Sequence, residues 1–195
     1  MARRYELKRR AERQLETRRR IAEAALRLHA EVGPARTTVS DIARLAGVQR
    51  HTYYRHFPDE RSLVAACSGL HWERSPMPDP EGWLEVAGAE QRLRRALAEL
   101  YAYYAEHEAL LANLARDADV HVATREILAA RRARHAARMR DALVEPFAAR
   151  RRRRARIEAA VALALDFRTW RQLVRAGGLP VEEAIEVAVG AVRGQ

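Results

Sequence analysis

The sequence predicts an all-α protein of about nine helices, and three observations support this prediction. Hydrophobic residues recur with a period near 3.6 through most of the 195 residues. No run alternates between apolar and polar residues as a half-buried strand would. Residues 37–57 show the pattern of two short helices joined by a tight turn at Gly47, which is the plan of a helix-turn-helix.

The first helix is predicted to begin where regular helical periodicity begins, at Ile21. Its apolar positions continue through Ala25 and Leu28, and the chain then reaches Gly33 and Pro34, which are typical stop signals. Residues 1–20 are rich in arginine and lack a continuous apolar face, so this segment alone would fray.

The second and third predicted helices form the helix-turn-helix. Thr38 can cap the second helix, and Asp41 stands three residues later, where a capping box places its acid. Beyond Gly47, Val48, Tyr53 and Phe57 share one side of the third helix. The opposite side is polar, aromatic and partly cationic, which suits a DNA groove, and consists of Gln49, Arg50, His51, Thr52, Tyr54 and His56.

The fourth helix is predicted to start with Pro58 in its first turn and acidic residues at its positive end. Its inner stripe is Leu63, Cys67 and Leu70, in which the only cysteine serves as a small buried hydrophobe. The proline cluster at residues 75–82 predicts an irregular connection between a head and a body.

The body is predicted to contain only helices. A long, arginine-rich helix at about residues 124–149 follows two shorter ones, and the next helix runs from Ile157 to a glycine stop at Gly177. Pro180 opens the last helix. The shorter helices carry Leu93, Leu97, Leu100 and Tyr104 in one case and Leu110, Leu111 and Leu114 in the other.

Composition limits the classes of function. The formal charge of +10 and pI near 10.8 favour a polyanionic partner, although the dominance of arginine over a single lysine also fits coding bias. We find no Gly-rich phosphate loop, zinc-protease motif or nucleophile elbow, so no catalytic residue is assigned. The histidine spacing does not demand a metal, no cofactor is expected, and no apolar run approaches a membrane span. A cytoplasmic protein is expected.

The head resembles the tetracycline-repressor (TetR) family of bacterial transcriptional regulators. The resemblance rests on AEVGPARTTVSDIA, RLAGV and TYYRHFPDERSL, in that order, across roughly residues 18–66. It implies a DNA-binding head at residues 1–66 and a divergent helical body for ligand binding and dimerisation at residues 67–195. In the body only DFRTWRQL, from Asp166 to Leu173, is of a kind seen in the family.

The resemblance implies contacts with double-stranded DNA. Thr38 would anchor a phosphate, Gln49, Arg50, His51 and Thr52 would open the recognition helix in the major groove, and Tyr54 and His56 would touch the backbone. Three positions depart from the family pattern: Gln49 replaces a small capping residue, His51 replaces glycine or proline, and Glu60 replaces a phosphate-binding lysine. Arg61 can substitute for that lysine.

The resemblance also implies a homodimer and a small-molecule effector of unknown identity, and hence a repressor that the effector releases from a palindromic operator. The residues proposed for the effector pocket, each of which could equally be ordinary core, are Trp83, Tyr101, Tyr104, His107, Phe167 and Trp170. The residues proposed for the dimer interface are Val161, Leu165, Val181, Ile185, Ala188 and Val192.

Alternatives remain at this stage. The N-terminal arginines could follow DNA phosphates as a flexible arm or form a solvated helical extension. The run Arg150 to Arg154 is interpreted as a solvated helix junction. A charge-driven, non-specific nucleic-acid-binding protein is the main rival to a specific regulator, and an enzyme is the more distant one.

Overall fold

A computed structural model describes residues 2–147 and 151–195. Within these ranges the chain forms eleven α-helices, in agreement with the predicted all-α class. They are α1 (Ala2–Glu31), α2 (Val39–Leu45), α3 (Arg50–His56), α4 (Glu60–Arg74), α5 (Glu81–Leu84), α6 (Ala89–Glu106), α7 (Glu108–Asp117), α8 (Val122–Val144), α9 (Arg151–Ala164), α10 (Phe167–Arg171) and α11 (Val181–Arg193).

The helices divide into two compact units. The first contains the chain up to Pro76 together with Ala109–Ala129, and the second contains Met77–Glu108 and Ala130–Gln195. Helices α1 to α4 and α7 thus belong to the first unit, whereas α5, α6 and α9 to α11 belong to the second. The functional boundary predicted after residue 66 stays a prediction.

The core of the first unit forms between α1, α2, α3 and α4. Ile21 and Ala25 of α1 are fully buried, and Phe57 closes the end of α3 with no exposed surface. The predicted inner stripe of α4 is also confirmed, because Leu63, Cys67 and Leu70 all belong to this core. This packing holds the inner side of the helix-turn-helix and leaves its outer side to solvent.

Local capping sets the start of two helices in this unit. The Thr38 side chain accepts a hydrogen bond from the backbone N–H of Asp41, which confirms the predicted cap of α2. Gln49 precedes α3 in an extended conformation and makes no side-chain cap, as its chemistry predicts. The prediction for α4 is wrong in detail, because Asp59 caps the helix from the preceding position and Pro58 lies outside the first turn.

Of the two alternatives for the segment before Ile21, a flexible arm and a solvated helical extension, the structure shows the helix, because α1 begins at Ala2 and not at Ile21. Residues 2–20 contain neither glycine nor proline and are rich in arginine, glutamate, alanine and leucine, which are good helix formers. The anchored part of α1 supplies the nucleus, and Lys8 and Glu12 add a favourable pair one turn apart.

The single helix predicted from Ile157 to Gly177 is also interrupted. Helix α9 ends at Ala164, and the Asp166 side chain then accepts a hydrogen bond from the backbone N–H of Arg168 to cap α10. The last turns before Gly177 widen into a π-helical segment at Gln172–Ala176. The apolar period continues across this break, so periodicity alone could not reveal it.

In the second unit, α6 lies at the centre. It packs on α5, α10 and α11, and its buried residues include Leu93, Leu97 and Leu100. Trp83 of the short helix α5 is also buried, so the predicted irregular connection contains a helical turn. Of the run Arg150 to Arg154, residue 150 lies outside the described residues, and Arg154 pairs with Glu158 at 3.0 Å.

Candidate nucleic-acid interface

The outer side of α3 presents polar side chains to solvent. Gln49, Arg50 and His51 are exposed at the start of this helix, and Tyr54 is 47% exposed one turn later. The inner side is buried, with Tyr53 at 3% and Phe57 at 0% exposure. The helix therefore offers a hydrogen-bonding surface of one or two turns, which is the part of a recognition helix that reaches base edges.

Ring contacts within α3 connect the exposed Tyr54 to the buried Tyr53 and Phe57. Tyr53 and Tyr54 meet edge to face with ring centroids 5.3 Å apart, and Tyr53 contacts Phe57 at 6.1 Å. Burial raises the pKa of Tyr53 to about 12, so its hydroxyl stays protonated at neutral pH. Thr52 lies within 3.3 Å of the His51 ring, which orients this histidine on the outer face.

At the start of α2, the exposed Thr38 is engaged with its own helix. Its hydroxyl donates to the Asp41 carboxylate at 2.6 Å and accepts from the Asp41 N–H at 3.1 Å. The Thr38 hydrogen bond, followed by that of Arg44, lowers the pKa of Asp41. These hydrogen bonds hold the Thr38 side chain at the start of α2.

Arg18 of α1 reaches the end of α3. Its guanidinium donates a hydrogen bond to the His56 carbonyl and lies over the Phe57 ring, 4.1 Å from the centroid. A cation at the C-terminus of a helix interacts favourably with the helix dipole. Sequence reasoning missed this residue, although Arg18 falls on the same helical stripe as Ile21 and Ala25, where a charged side chain needs a partner.

Tyr54 and His56 are predicted to contact the DNA backbone, and the structure favours this contact less for His56. Burial lowers its pKa, and Arg55 and Arg18 lower it further. Its Nε2 atom is buried and has no hydrogen-bond partner within the described parts of the chain. A phosphate contact by this ring would require it to turn outward, and the contact stays a prediction.

The start of α4 is held by residues that lie sixty positions further along the chain. Glu60 pairs with His121, whose Nε2 lies 3.0 Å from the carboxylate, and Arg61 pairs with Glu126. Glu60, where the family pattern has lysine, thus has a partner within the first unit. Arg61 could bind a phosphate only in competition with Glu126.

Side chains of α7 form hydrogen bonds with the end of α1 and with the turn that follows it. The Asn113 amide donates to the carbonyls of His29 and Ala30 at 3.2 and 2.8 Å. Asp117, only 3% exposed, accepts from the Ala35 N–H at 3.0 Å and is bound by Arg116, which lowers its pKa against the opposing effect of burial. The turn at Gly33 that leads into α2 is therefore enclosed by polar contacts.

In the second unit, four of the six proposed effector residues come together. Tyr104 meets Phe167 edge to face at 5.4 Å and Trp170 at 6.0 Å, and it stacks with Tyr101 at 6.3 Å. The tyrosine hydroxyls donate to the carbonyls of Ala164 and Leu165, at the end of α9. Burial raises the pKa of Tyr101 to about 12.

The other two proposed effector residues have different neighbours. The Trp83 indole donates to the Glu99 carboxylate at 2.7 Å, and the His107 ring lies 4.5 Å from that of Tyr103. The structure thus gives Trp83 a structural role in joining α5 to α6. Membership of an effector pocket stays a prediction for all six residues.

Most of the proposed dimer residues are already buried within the subunit. Val161 is 0% exposed, and low exposure is shared by Val192, Ala188 and Ile185; Leu165 and Val181 are partly buried. The same helices expose other apolar side chains, namely Leu163 at 61% and Val187 at 51%. Among the described side chains of α9 and α11, these two are large apolar groups that a partner could cover.

Metal ligands and membrane spans can be assessed for residues 2–147 and 151–195. Within these ranges, no group of three or more histidine, cysteine or acidic side chains is placed to hold a metal ion. None of the helices described there is both long and apolar enough to cross a membrane.

The head is similar in sequence to known bacterial regulators. Residues 21–67 match the sequence model of the bacterial regulatory proteins of the tetR family. Over 57 residues the chain is 51% identical to the HTH-type transcriptional regulator TtgR of Pseudomonas putida, and over 60 residues it is 40% identical to AcrR of Shigella flexneri. The aligned parts span about a quarter of those relatives, 27% of TtgR and 26% of AcrR.

Solved structures extend the likeness to the whole fold. A TetR-like regulator from a Rhodococcus species superposes over 91% of this chain and 94% of its own, with a TM-score of 0.62 and 20% identity. The TetR-family regulator PfmR of Thermus thermophilus covers 89% and 97%, with a TM-score of 0.61 and 24% identity. At these identities the likeness concerns the fold.

The head thus contains a helix-turn-helix formed by α2 and α3, a motif with which many regulatory proteins bind DNA. Residues 21–67 thus match the tetR family of bacterial regulators, and the fold of the described residues is similar to that of solved TetR-family regulators.

Proposed function

We propose that the chain is a sequence-specific transcriptional repressor that binds a palindromic operator as a homodimer and is released by a small-molecule effector. The observation that carries this proposal is the exposed outer side of α3, with Gln49, Arg50 and His51 free of the core beside a capped α2. Arginine can bind guanine O6 and N7 in bidentate fashion, and glutamine can do the same for adenine.

The test of operator reading is selection of bound sequences from a random duplex pool. We expect the parent to enrich an inverted repeat whose half-sites lie about one helical turn, or a multiple, apart. The control is an Arg50→Ala, Tyr54→Ala double variant, which keeps the buried Tyr53 and Phe57. Absence of enrichment by the parent over this variant would refute the DNA-reading assignment.

Dimerisation is proposed to use the outer surfaces of α9 and α11. Leu163 and Val187 are large apolar side chains that the subunit leaves more than half exposed. A twofold dimer would cover them and set two copies of α3 at a fixed spacing, which explains why the operator should be palindromic. The proposed dimer residues that are buried within the subunit, such as Val161 and Val192, would then pack behind this surface.

The Val187→Glu variant is expected to dissociate at least about tenfold more readily than the parent, because a buried unpaired carboxylate opposes association. Sedimentation equilibrium measures this shift. Leu84→Glu is a matched control, since Leu84 of α5 is 49% exposed, close to the 51% of Val187. An unchanged dimer in the Val187→Glu variant would place the interface elsewhere.

The effector site is proposed at the aromatic cluster of Tyr101, Tyr104, Phe167 and Trp170. The Trp170 indole N–H is fully buried and has no acceptor among the described residues. A buried donor without a partner is costly, so an acceptor group on a ligand would satisfy it. In a dimer, the distance between the two DNA-binding heads decides whether both can bind the operator. A ligand that stabilises one such distance by about 1–3 kcal/mol would change operator affinity by about 5- to 150-fold.

The remaining parts of the proposal follow from its class. The known relatives of the head are transcriptional regulators, and we propose a cytoplasmic protein without catalytic activity. The rival with a specific observation in its favour is a charge-driven nucleic-acid-binding protein, because the chain carries a formal charge of +10. Salt dependence separates the two, because a charge-driven binder loses its affinity for all sequences together.

A further inference from the structure

A cavity lies inside the first unit, beside the recognition helix. Its volume is about 230 Å³, and its lining residues come from α1, α2, α3, α4 and the turn between α7 and α8, all of which belong to this unit. A cavity of about 150 Å³ is enough to hold a benzene ring. The head therefore has room for a small molecule.

The cavity wall is largely apolar. Val39 and Ile42 of α2 and Val64 of α4 line it, and the rings of Tyr53 and Phe57 form the side that belongs to α3. Walls of this kind favour an apolar or aromatic ligand body. A ligand in the cavity would lie directly against the helix that is proposed to read DNA.

His29 provides a hydrogen-bond acceptor in this lining. Burial, with a smaller effect of His121, lowers its pKa to about 4, so the ring is neutral at pH 7. The Cys67 thiol donates to the Val64 carbonyl at 3.4 Å, so its sulfur accepts a hydrogen bond from His29 Nδ1, 3.7 Å away. The ring proton is then on Nδ1, which leaves Nε2 as an acceptor for a donor group on a ligand.

Two carboxylates belong to the exposed part of the lining. Asp59 caps α4, and the Glu60 carboxylate lies 3.0 Å from His121 Nε2. Their charges reach into the cavity, because burial is the main cause of the raised pKa of Tyr53 and the charges of Glu60 and Asp59 raise it further. Among the described residues that line the cavity there is no lysine or arginine. The lining therefore favours a ligand with positive charge and hydrogen-bond donors.

We infer that this cavity binds a small organic cation, with an apolar or aromatic body and one protonated amine, of about eight to ten non-hydrogen atoms. An ammonium group has three N–H donors, which match the acceptors of His29 and Glu60. An anion is a poorer occupant, because it would meet two carboxylates and an imidazole lone pair. The aromatic cluster proposed for the effector belongs to the second unit, so this site is an additional one.

The experiment titrates the full-length chain, without DNA, with three probes of similar shape: benzylammonium, benzyl alcohol and benzoate. NMR titration measures the affinities, and intermolecular NOEs locate the bound ring. We expect benzylammonium to bind at least about fivefold more tightly than benzyl alcohol, and benzoate to bind more weakly than either. The NOEs should reach the methyl groups of Val39, Ile42 and Val64. Equal affinities, or NOEs to Tyr104 and Trp170 instead, would overturn the inference.

The Glu60→Gln variant tests the charge of the site and keeps the size of the side chain. Its preference for benzylammonium over benzyl alcohol should be at least about threefold smaller than that of the parent. Glu126→Gln is the matched control, since Glu126 is also an exposed, paired carboxylate of the first unit but lies outside the cavity lining. An equal fall in both variants would attribute the preference to diffuse charge and contradict the site.

The Val64→Phe variant tests the cavity itself by filling it. Val64 is 4% exposed, and the larger ring should weaken the binding of benzylammonium at least about tenfold. Urea denaturation shows whether this variant still folds; if it does not, the comparison of Glu60→Gln with Glu126→Gln decides. Binding by the folded variant with the affinity of the parent would place the ligand elsewhere. Because no DNA is present, a negative result leaves the proposed function standing.

Discussion

The Gly33→Ala variant is expected to unfold with a free energy about 3 kcal/mol lower than that of the parent. Gly33 has φ +95° and ψ 156°, a region that is essentially confined to glycine and costs other residues about 1–3 kcal/mol. A Cβ atom there would also lie far inside contact distance of the Arg116 guanidinium and an Asp117 carboxylate oxygen.

Neither neighbour can move away cheaply. Asp117 is buried and accepts the Ala35 N–H, and Arg116 donates to the Val32 carbonyl at 2.8 Å. Losing the partners of a buried polar group costs about 1–3 kcal/mol, which adds to the backbone strain. The substitution should therefore also loosen α7 from the turn that leads into α2.

Gly47→Ala is the matched control for this prediction. Gly47 also has a positive φ, +65°, but an added Cβ atom would meet nothing within 4 Å. Its cost should be only the left-handed backbone, about 1–2 kcal/mol. Urea denaturation of both variants measures the difference, and equal losses would show that the Arg116–Asp117 pair does not restrain this turn.

Acid is expected to destabilise the first unit through His29, by up to about 3 kcal/mol. This side chain is 5% exposed, and burial, with a smaller effect of His121, lowers its pKa from 6.5 to about 4. Because the unfolded chain takes up the proton near pH 6.5 and the folded chain only near pH 4, stability is lost as pH falls through this window. Above this window the contribution is constant.

The measurement is urea denaturation at several pH values between about 7.5 and about 4 for the parent and His29→Gln. The variant cannot titrate at this position, so the loss between pH 6.5 and pH 4 should be smaller by the amount that His29 contributes. His56 and His135 also have lowered pKa values and give both proteins a common slope in the same direction. Parallel pH profiles would contradict the assignment to His29.

Local chemistry explains why much of the head could be predicted from its sequence. The cap at Thr38, the missing cap at Gln49 and the inward positions of Tyr53 and Phe57 depend on neighbours within a turn or two. The same holds for the apolar stripe of α4. Interactions of this range are encoded in the spacing of neighbouring residues, and the comparisons with known regulators agree with the family that the head resembles.

The features that the sequence did not reveal depend on distant partners or on weak local signals. Nothing near Glu60 indicates that His121 lies beside it, or that Glu126 binds Arg61. The break before α10 is signalled only by Asp166, in the middle of a continuous apolar pattern. For the extension before Ile21, the sequence left a flexible arm and a helical extension open, because the segment lacks an apolar face but is rich in good helix formers, and the structure shows the helix.

The most direct test of sequence-specific binding is the affinity for the selected repeat and for a scrambled duplex of equal length, measured between about 50 mM and about 200 mM salt. We expect both affinities to fall with salt while the parent keeps a preference of at least about 10³-fold for the repeat, and Arg50→Ala to lose about 1–3 kcal/mol of that preference. Affinities that fall together, with no preference remaining, would contradict base reading by α3 and identify a charge-driven binder.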